Sequence, residues 1–193
     1  MEIRSKAEFY RLWRAGCLGN RPRTFLTIEE ALKFLKRNPK LPLRLGFREI
    51  GTAGGGSFAI IDIEDWHSFK AQVIATAISW QRENRTYCLD AAVPNPSVTL
   101  LGEICRTYRG LEGYLGIRTG WTMRSSMAAG LLKSRTPTET LALLAHFMDP
   151  SSRDDLDDLL ELYPDATIEF ACFPNDVGVI PGRNTIFWEV RNY

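Results

Sequence analysis

Residues 98–119 read "VTLLGEICRTYRGLEGYLGIRT", and how this stretch folds decides the class of the whole chain. As a helix it would join a run of helical segments in the second half and leave few strands to build a sheet. Its β-branched residues, and the glycines at 102, 110, 113 and 116, instead predict two strands joined by a short turn. A hairpin here matches others on either side. "LPLRLGFREI", residues 41–50, alternates Leu43, Leu45 and Phe47 with Arg44, Gly46 and Arg48, the pattern of a half-buried strand. "SFAIIDI", residues 57–63, and "TYCLDAAV", residues 86–93, are further strands, the latter stopped by Pro94 and Pro96. "ATIEFACF" and "NTIFWEVRNY" close the chain as an antiparallel pair.

Helices lie between these strands. Ser5 with Glu8 and Thr27 with Glu30 form capping-box patterns ahead of segments with helical apolar spacing. A long helix is predicted over about 64–85, with Trp66, Phe69, Val73, Ala77 and Trp80 on one face. Three more are expected near 122–133, 138–148 and 152–163, the last two separated by Asp149–Pro150. The expectation is α+β: a single domain, residues 1–193, with a largely antiparallel sheet of hairpins packed against several helices.

The composition, 45 % apolar and 24 % charged over 193 residues, is that of an ordinary globular protein. The first residues are charged and no apolar run is long enough to span a bilayer, so a soluble cytoplasmic protein without a membrane partner is expected. Cys17, Cys88, Cys105 and Cys172 are widely spaced, which argues against a zinc site and a disulfide framework. The two histidines, His67 and His146, each have a carboxylate three positions away, Glu64 and Asp149. Two such pairs place too few constraints to define a metal centre, and His67 aligns with Ala71, Ile74 and Ile78 as the edge of a buried helix face. No cofactor and no metal are expected.

The charges are unevenly spread. Residues 1–60 carry a net +7, residues 61–150 are balanced, and residues 151–193 carry −6. Arginine outnumbers lysine by 18 to 6, and its planar fork suits phosphate contact and base stacking. Arg11 and Arg14 share a helix flank, and Arg21 and Arg23 follow around Pro22. Arg106, Arg109 and Arg118 interleave with Tyr108 and Tyr114 in the same manner. These seven arginines are the candidate nucleic-acid contacts, DNA or RNA, of a non-enzymatic binding protein. No named recognition motif accompanies them, and pairing with the acidic tail is the plainer account of their charge.

The acidic helix at 152–163 sets Leu156, Leu159, Leu160 and Tyr163 on one stripe and its carboxylates off it. A solvated face explains this; an alternative is a docking surface for a basic protein, which would make the chain an adaptor.

Two stretches carry chemistry-like patterns. Gly54, Gly55 and Gly56 lack the Lys-Ser/Thr of a phosphate-binding Walker loop and precede a strand. A hairpin connection is the simpler reading, and a backbone anion nest beside Arg44 and Arg48 the sharper one. "PND", residues 174–176, with "EVR", residues 189–191, resembles the PD-(D/E)xK nucleases. That resemblance implies Mg²⁺ held by acids such as Asp176, Glu169 and Glu189. Arg191 stands where the family has lysine and is a poor activator of water. A cross-strand ion pair between Glu169 and Arg191 accounts for the same residues without metal.

Overall fold

The computed structural model describes residues 23–50, 58–91, 99–118, 132–173 and 182–192. The chain divides into two compact units, residues 22–93 and a second built chiefly from residues 94–193. The fold is α+β, and each unit carries its own antiparallel sheet.

In the first unit, β1 (Arg23–Phe25), β2 (Arg44–Glu49), β3 (Phe58–Asp62) and β4 (Tyr87–Ala91) form a sheet in the order β1-β4-β2-β3. Helices α1 (Ile28–Arg37) and α2 (Trp66–Arg82) supply the rest. Thr27 caps α1 by accepting from the Glu30 N–H, and Asp65 caps α2 by accepting from Ser68. Leu45, Phe47, Ile61, Leu89 and Ala91 alternate inward on one sheet face. They form a core with Ala31 and Leu35 of α1 and with Phe69, Val73, Ala77 and Trp80 of α2. Phe47, Trp80 and Tyr87 pack ring against ring at 5.2–5.7 Å, the tilted arrangements aromatic quadrupoles prefer.

The expected long helix is therefore present, but its outer side differs from expectation. His67, Ala71, Ile74 and Ile78 are exposed, because the Phe69–Trp80 stripe alone faces the sheet.

The second unit holds β5 (Thr99–Thr107), β6 (Gly110–Arg118), β7 (Lys133–Arg135), β8 (Ala166–Cys172) and β9 (Thr185–Asn192) in the order β7-β6-β5-β8-β9. Residues 98–119 do form the expected hairpin, with Thr107 opposite Gly110 at its turn. The helix expected near 122–133 falls mostly outside the described residues, and at its end Lys133 begins β7 instead. Helices α3 (Pro137–Phe147) and α4 (Pro150–Leu162) lie where the sequence placed them, each with proline in its first turn. Thr136 and Glu139 close a reciprocal capping box on α3. Leu156, Leu159, Leu160 and Tyr163 are buried, as their stripe predicts.

One face of this sheet is apolar, with Leu100, Ile104, Leu115, Ile168, Phe170, Phe187 and Val190 all buried. Between Glu169 and Phe170 the pairing with β9 shifts by one residue, leaving Trp188 as a bulge. Above the bulge Phe187 joins the apolar face, and below it Val190 does. Glu189 and Arg191 consequently fall on the opposite face.

Candidate functional site

That opposite face concentrates the chain's chemistry. Register places Glu103 on β5 directly across from Glu169 on β8, and Glu169 directly across from Glu189 on β9. Three carboxylates thus stand in one row over three adjacent strands. The row continues through Tyr114 on β6 to Ser134 on β7. A second row, two residues along, runs Glu112, Cys105, Thr167 and Arg191.

Opposed positions bring Cβ atoms to about 4.5–5.5 Å, where like charges destabilise a sheet. The row is also withdrawn from water: Glu189 is only 6 % exposed. Arg191 answers part of this charge with a 2.5 Å bridge to Glu103. Burial works against the charged guanidinium, but Glu103, Glu189 and Glu169 together hold its pKa above the ordinary arginine value. The sequence offers Glu169 as a partner of Arg191; a bridge also runs to Glu103, one strand further across the sheet, and Glu169 adds to the attraction.

Beside the row lies a cleft of about 260 Å³ lined by Glu103, Cys105, Glu112, Tyr114, Ser134 and Thr167. Burial, and secondarily Glu112, push the Cys105 thiol pKa up, so it is a poor nucleophile at neutral pH. Among the described residues no three His, Cys, Asp or Glu side chains converge as a ready-made metal cage. Asp176 of the nuclease-like pattern lies outside the described residues.

The candidate phosphate-binding arginines separate into three groups. Arg11, Arg14 and Arg21 lie outside the described residues, as do Gly54, Gly55 and Gly56. Arg23 opens β1, its backbone opposite Ala91. Arg106 and Arg109 are exposed at the β5–β6 turn. There the Arg109 guanidinium lies 5.2 Å from the Tyr108 ring centroid and donates to its hydroxyl at 2.8 Å. Tyr108 is 90 % exposed. Arg118 pairs with Thr99 at the other end of the same hairpin, seven rungs from Arg106 and hence about 23 Å away at 3.3 Å per residue. The structure therefore gathers Arg106 and Arg109 but not Arg118.

Arg44 and Arg48, the arginines nearest the glycine loop, both sit in ion pairs. Arg44 bridges Asp62 at 2.6 Å, and Arg48 lies 3.3 Å from Asp90, a fully buried carboxylate that also accepts from Thr24 at 2.6 Å. The strands on either side of residues 51–57 pair antiparallel, with Arg48 opposite Phe58. His67 and His146 are exposed, and Asp149 is committed to Ser152 and Asn184. On α4, Asp154, Asp157, Asp158 and Glu161 are exposed, while Asp155 takes a two-pronged bridge from Arg183 at 2.6 and 3.1 Å.

Glu103 is the site residue the sequence did not reveal. It sits in a strand with no acid beside it, and only cross-strand register brings it to residues 66 and 86 positions away.

No protein-family model matches the chain, and no curated protein matches it significantly. Solved structures similar to it include two from Ca. Korarchaeum cryptofilum. ACD1, in complex with coenzyme A, is 13 % identical and covers 96 % of this chain and 92 % of its own, with a TM-score of 0.49. The dinucleotide-forming acetyl-coenzyme A synthetase 1, in complex with coenzyme A, Ca-AMPCP and HgCl⁺, is 13 % identical and covers 96 % and 93 %, with a TM-score of 0.43. At those scores the likeness decides nothing about ligand or activity. Among the described residues no helix is long and apolar enough to cross a membrane.

Proposed function

We propose that the polar face of the five-stranded sheet binds a divalent cation together with a phosphate-bearing ligand, and that the protein carries out metal-assisted chemistry on a phosphate ester or anhydride there. The carboxylate row supports this reading: Glu103, Glu169 and Glu189 stand opposite one another with Glu189 nearly buried. A cation held among three opposed carboxylates would convert their mutual repulsion into binding energy. Mg²⁺ usually needs only one or two carboxylates and completes its shell with water and substrate phosphates, so a preassembled cage is not required. Arg191 would meet the ligand's phosphate oxygens, and the cation would polarise the phosphorus–oxygen bond.

Titration of Mn²⁺ followed by electron paramagnetic resonance tests this, alone and with either a nucleoside triphosphate or a short oligonucleotide. Phosphate-enhanced Mn²⁺ binding that is lost in Glu189→Gln is expected. Binding that is absent, or indifferent to that substitution, would overturn the reading. The two ligands distinguish a nucleotide-using enzyme from a nuclease, since only the latter cleaves the oligonucleotide.

The hairpin turn favours a second reading, in which the chain is a nucleic-acid-binding protein. Tyr108 stands in solvent with Arg109 against its face and Arg106 near by, a pairing suited to a stacked base and its phosphates. Each phosphate neutralised in duplex DNA adds about −0.9 to the slope of log affinity against log salt. Arg106→Ala with Arg109→Ala should flatten that slope by about 1.8 and leave sequence preference unchanged. An unaltered slope in a folded protein would remove this reading.

A further inference from the structure

We propose that the cleft beside the carboxylate row receives the ammonium group of an amine ligand. The cleft belongs to the face already described, but this inference concerns a different chemical group and needs no metal. Its polar walls are carboxylates, hydroxyls and a thiol, contributed by Glu103, Glu112, Tyr114, Ser134, Thr167 and Cys105, with no lysine or arginine among its lining residues. An anionic ligand would be repelled there, and a neutral one would screen two carboxylates from water without satisfying them. A primary ammonium offers three donors and a compact charge, which match carboxylate and hydroxyl acceptors around a small space.

The two carboxylates are not equivalent. Glu103 already accepts from Arg191, whereas Glu112 is half-buried and makes no ion pair or hydrogen bond among the described residues. Glu112 is therefore the primary counter-ion, and the Tyr114 ring, half-exposed at the cleft, offers an additional attractive face for a cation. At about 260 Å³ the cleft is smaller than the usual drug-sized pocket, so it accommodates one end of a ligand.

The ammonium could come from a small amine or from a lysine side chain of a peptide. Amide chemical shifts of the full chain, recorded with a chelator present, distinguish them by titration with n-butylamine, with N-acetyl-lysine methylamide and with n-butanol. Saturable shifts around Cys105, Glu112 and Tyr114 in the millimolar range are expected for the amines and not for butanol. Stronger binding of the lysine derivative assigns a peptide source, and stronger binding of butylamine a free amine; both support the proposal. Glu112→Gln should weaken binding at least tenfold, the loss expected for one charged hydrogen bond. Glu161→Gln, an exposed acid on α4, should leave it unchanged. No shifts, equal binding of butanol, or an unaffected Glu112→Gln variant would each overturn the proposal. Because no metal is present, none of these outcomes bears on the carboxylate row as a cation site.

Discussion

Asp149 shows how much structure one side chain can organise. Its carboxylate accepts from the Ser152 N–H at 2.9 Å, capping α4, and from the Asn184 N–H at 2.7 Å, fixing the chain just ahead of β9. Asn184 returns the contact, accepting from the Asp149 N–H at 3.0 Å and donating to Phe147 O at 2.7 Å. Burial pushes the Asp149 pKa up, but the bonds from Ser152 and Asn184 outweigh it and hold the pKa below the ordinary 3.8. A depressed carboxylate pKa stabilises the fold above the unfolded value, and the gain disappears as pH falls through the folded one. Asp149→Ala should therefore cost about 1–2 kcal/mol in urea denaturation at neutral pH, the usual range for a lost N-cap. The gap from the native protein should narrow below pH 3.8; a gap constant into acid would show that charge is irrelevant there. Asp149–Pro150 was legible as a helix junction because capping chemistry is local. Asn184, 35 residues on, was not.

At the scale of elements, the β5–β6 hairpin depends on glycines in two different ways. Gly110 has a φ of +122°, which ordinary side chains avoid, and so permits the turn. Gly102 and Gly113 instead make room. A Cβ on Gly102 would stand 2.1 Å from Tyr114 O and 2.7 Å from Leu115 Cδ2, and one on Gly113 2.5 Å from Glu103 O and 2.7 Å from Ile104 Cγ2. Each glycine thus accommodates the large apolar side chain opposite it. Gly102→Ala should cost about 3 kcal/mol, the upper part of the overpacking range, because a backbone carbonyl cannot move aside. Thermal denaturation would show this, and an unchanged midpoint would mean that the strands separate freely. These glycines made the hairpin readable from sequence, and alternation made β2 readable. The carboxylate row was not, since alternation tells which residues share a face of one strand but not which strand lies beside it. Glu169 and Glu189 were noticed only through a nuclease-like pattern.

Over the whole molecule, charge and topology follow different divisions. The net charge changes gradually from +7 over residues 1–60 to −6 over 151–193, while the fold divides near residue 93. Pro94 and Pro96 mark that place, but a strand terminator and a unit boundary look alike in sequence. Residues 22–93 are contiguous and hold a core drawn from one sheet and two helices. Expressed alone, that segment should fold with a mixed helix and strand circular dichroism spectrum and a stability of about 3–5 kcal/mol, as domains of this size do. A random-coil spectrum would show that its core is insufficient.

The bulge at Trp188 acts on β9 as a change of reading frame. A uniformly alternating "TIFWEVRN" would send Phe187, Glu189 and Arg191 to one side; the extra residue lets Phe187 go inward and both charged residues go outward. A deletion at the bulge, unlike one elsewhere in β9, consequently leaves the assignment of side chains to the two faces intact. Removing Trp188 would restore uniform alternation with Phe187 still inward and Glu189 and Arg191 still outward, so that only the bulge and the buried Trp188 side chain are lost. Chains that preserve this face should lose the residue between Phe187 and Glu189 more readily than any other residue of β9.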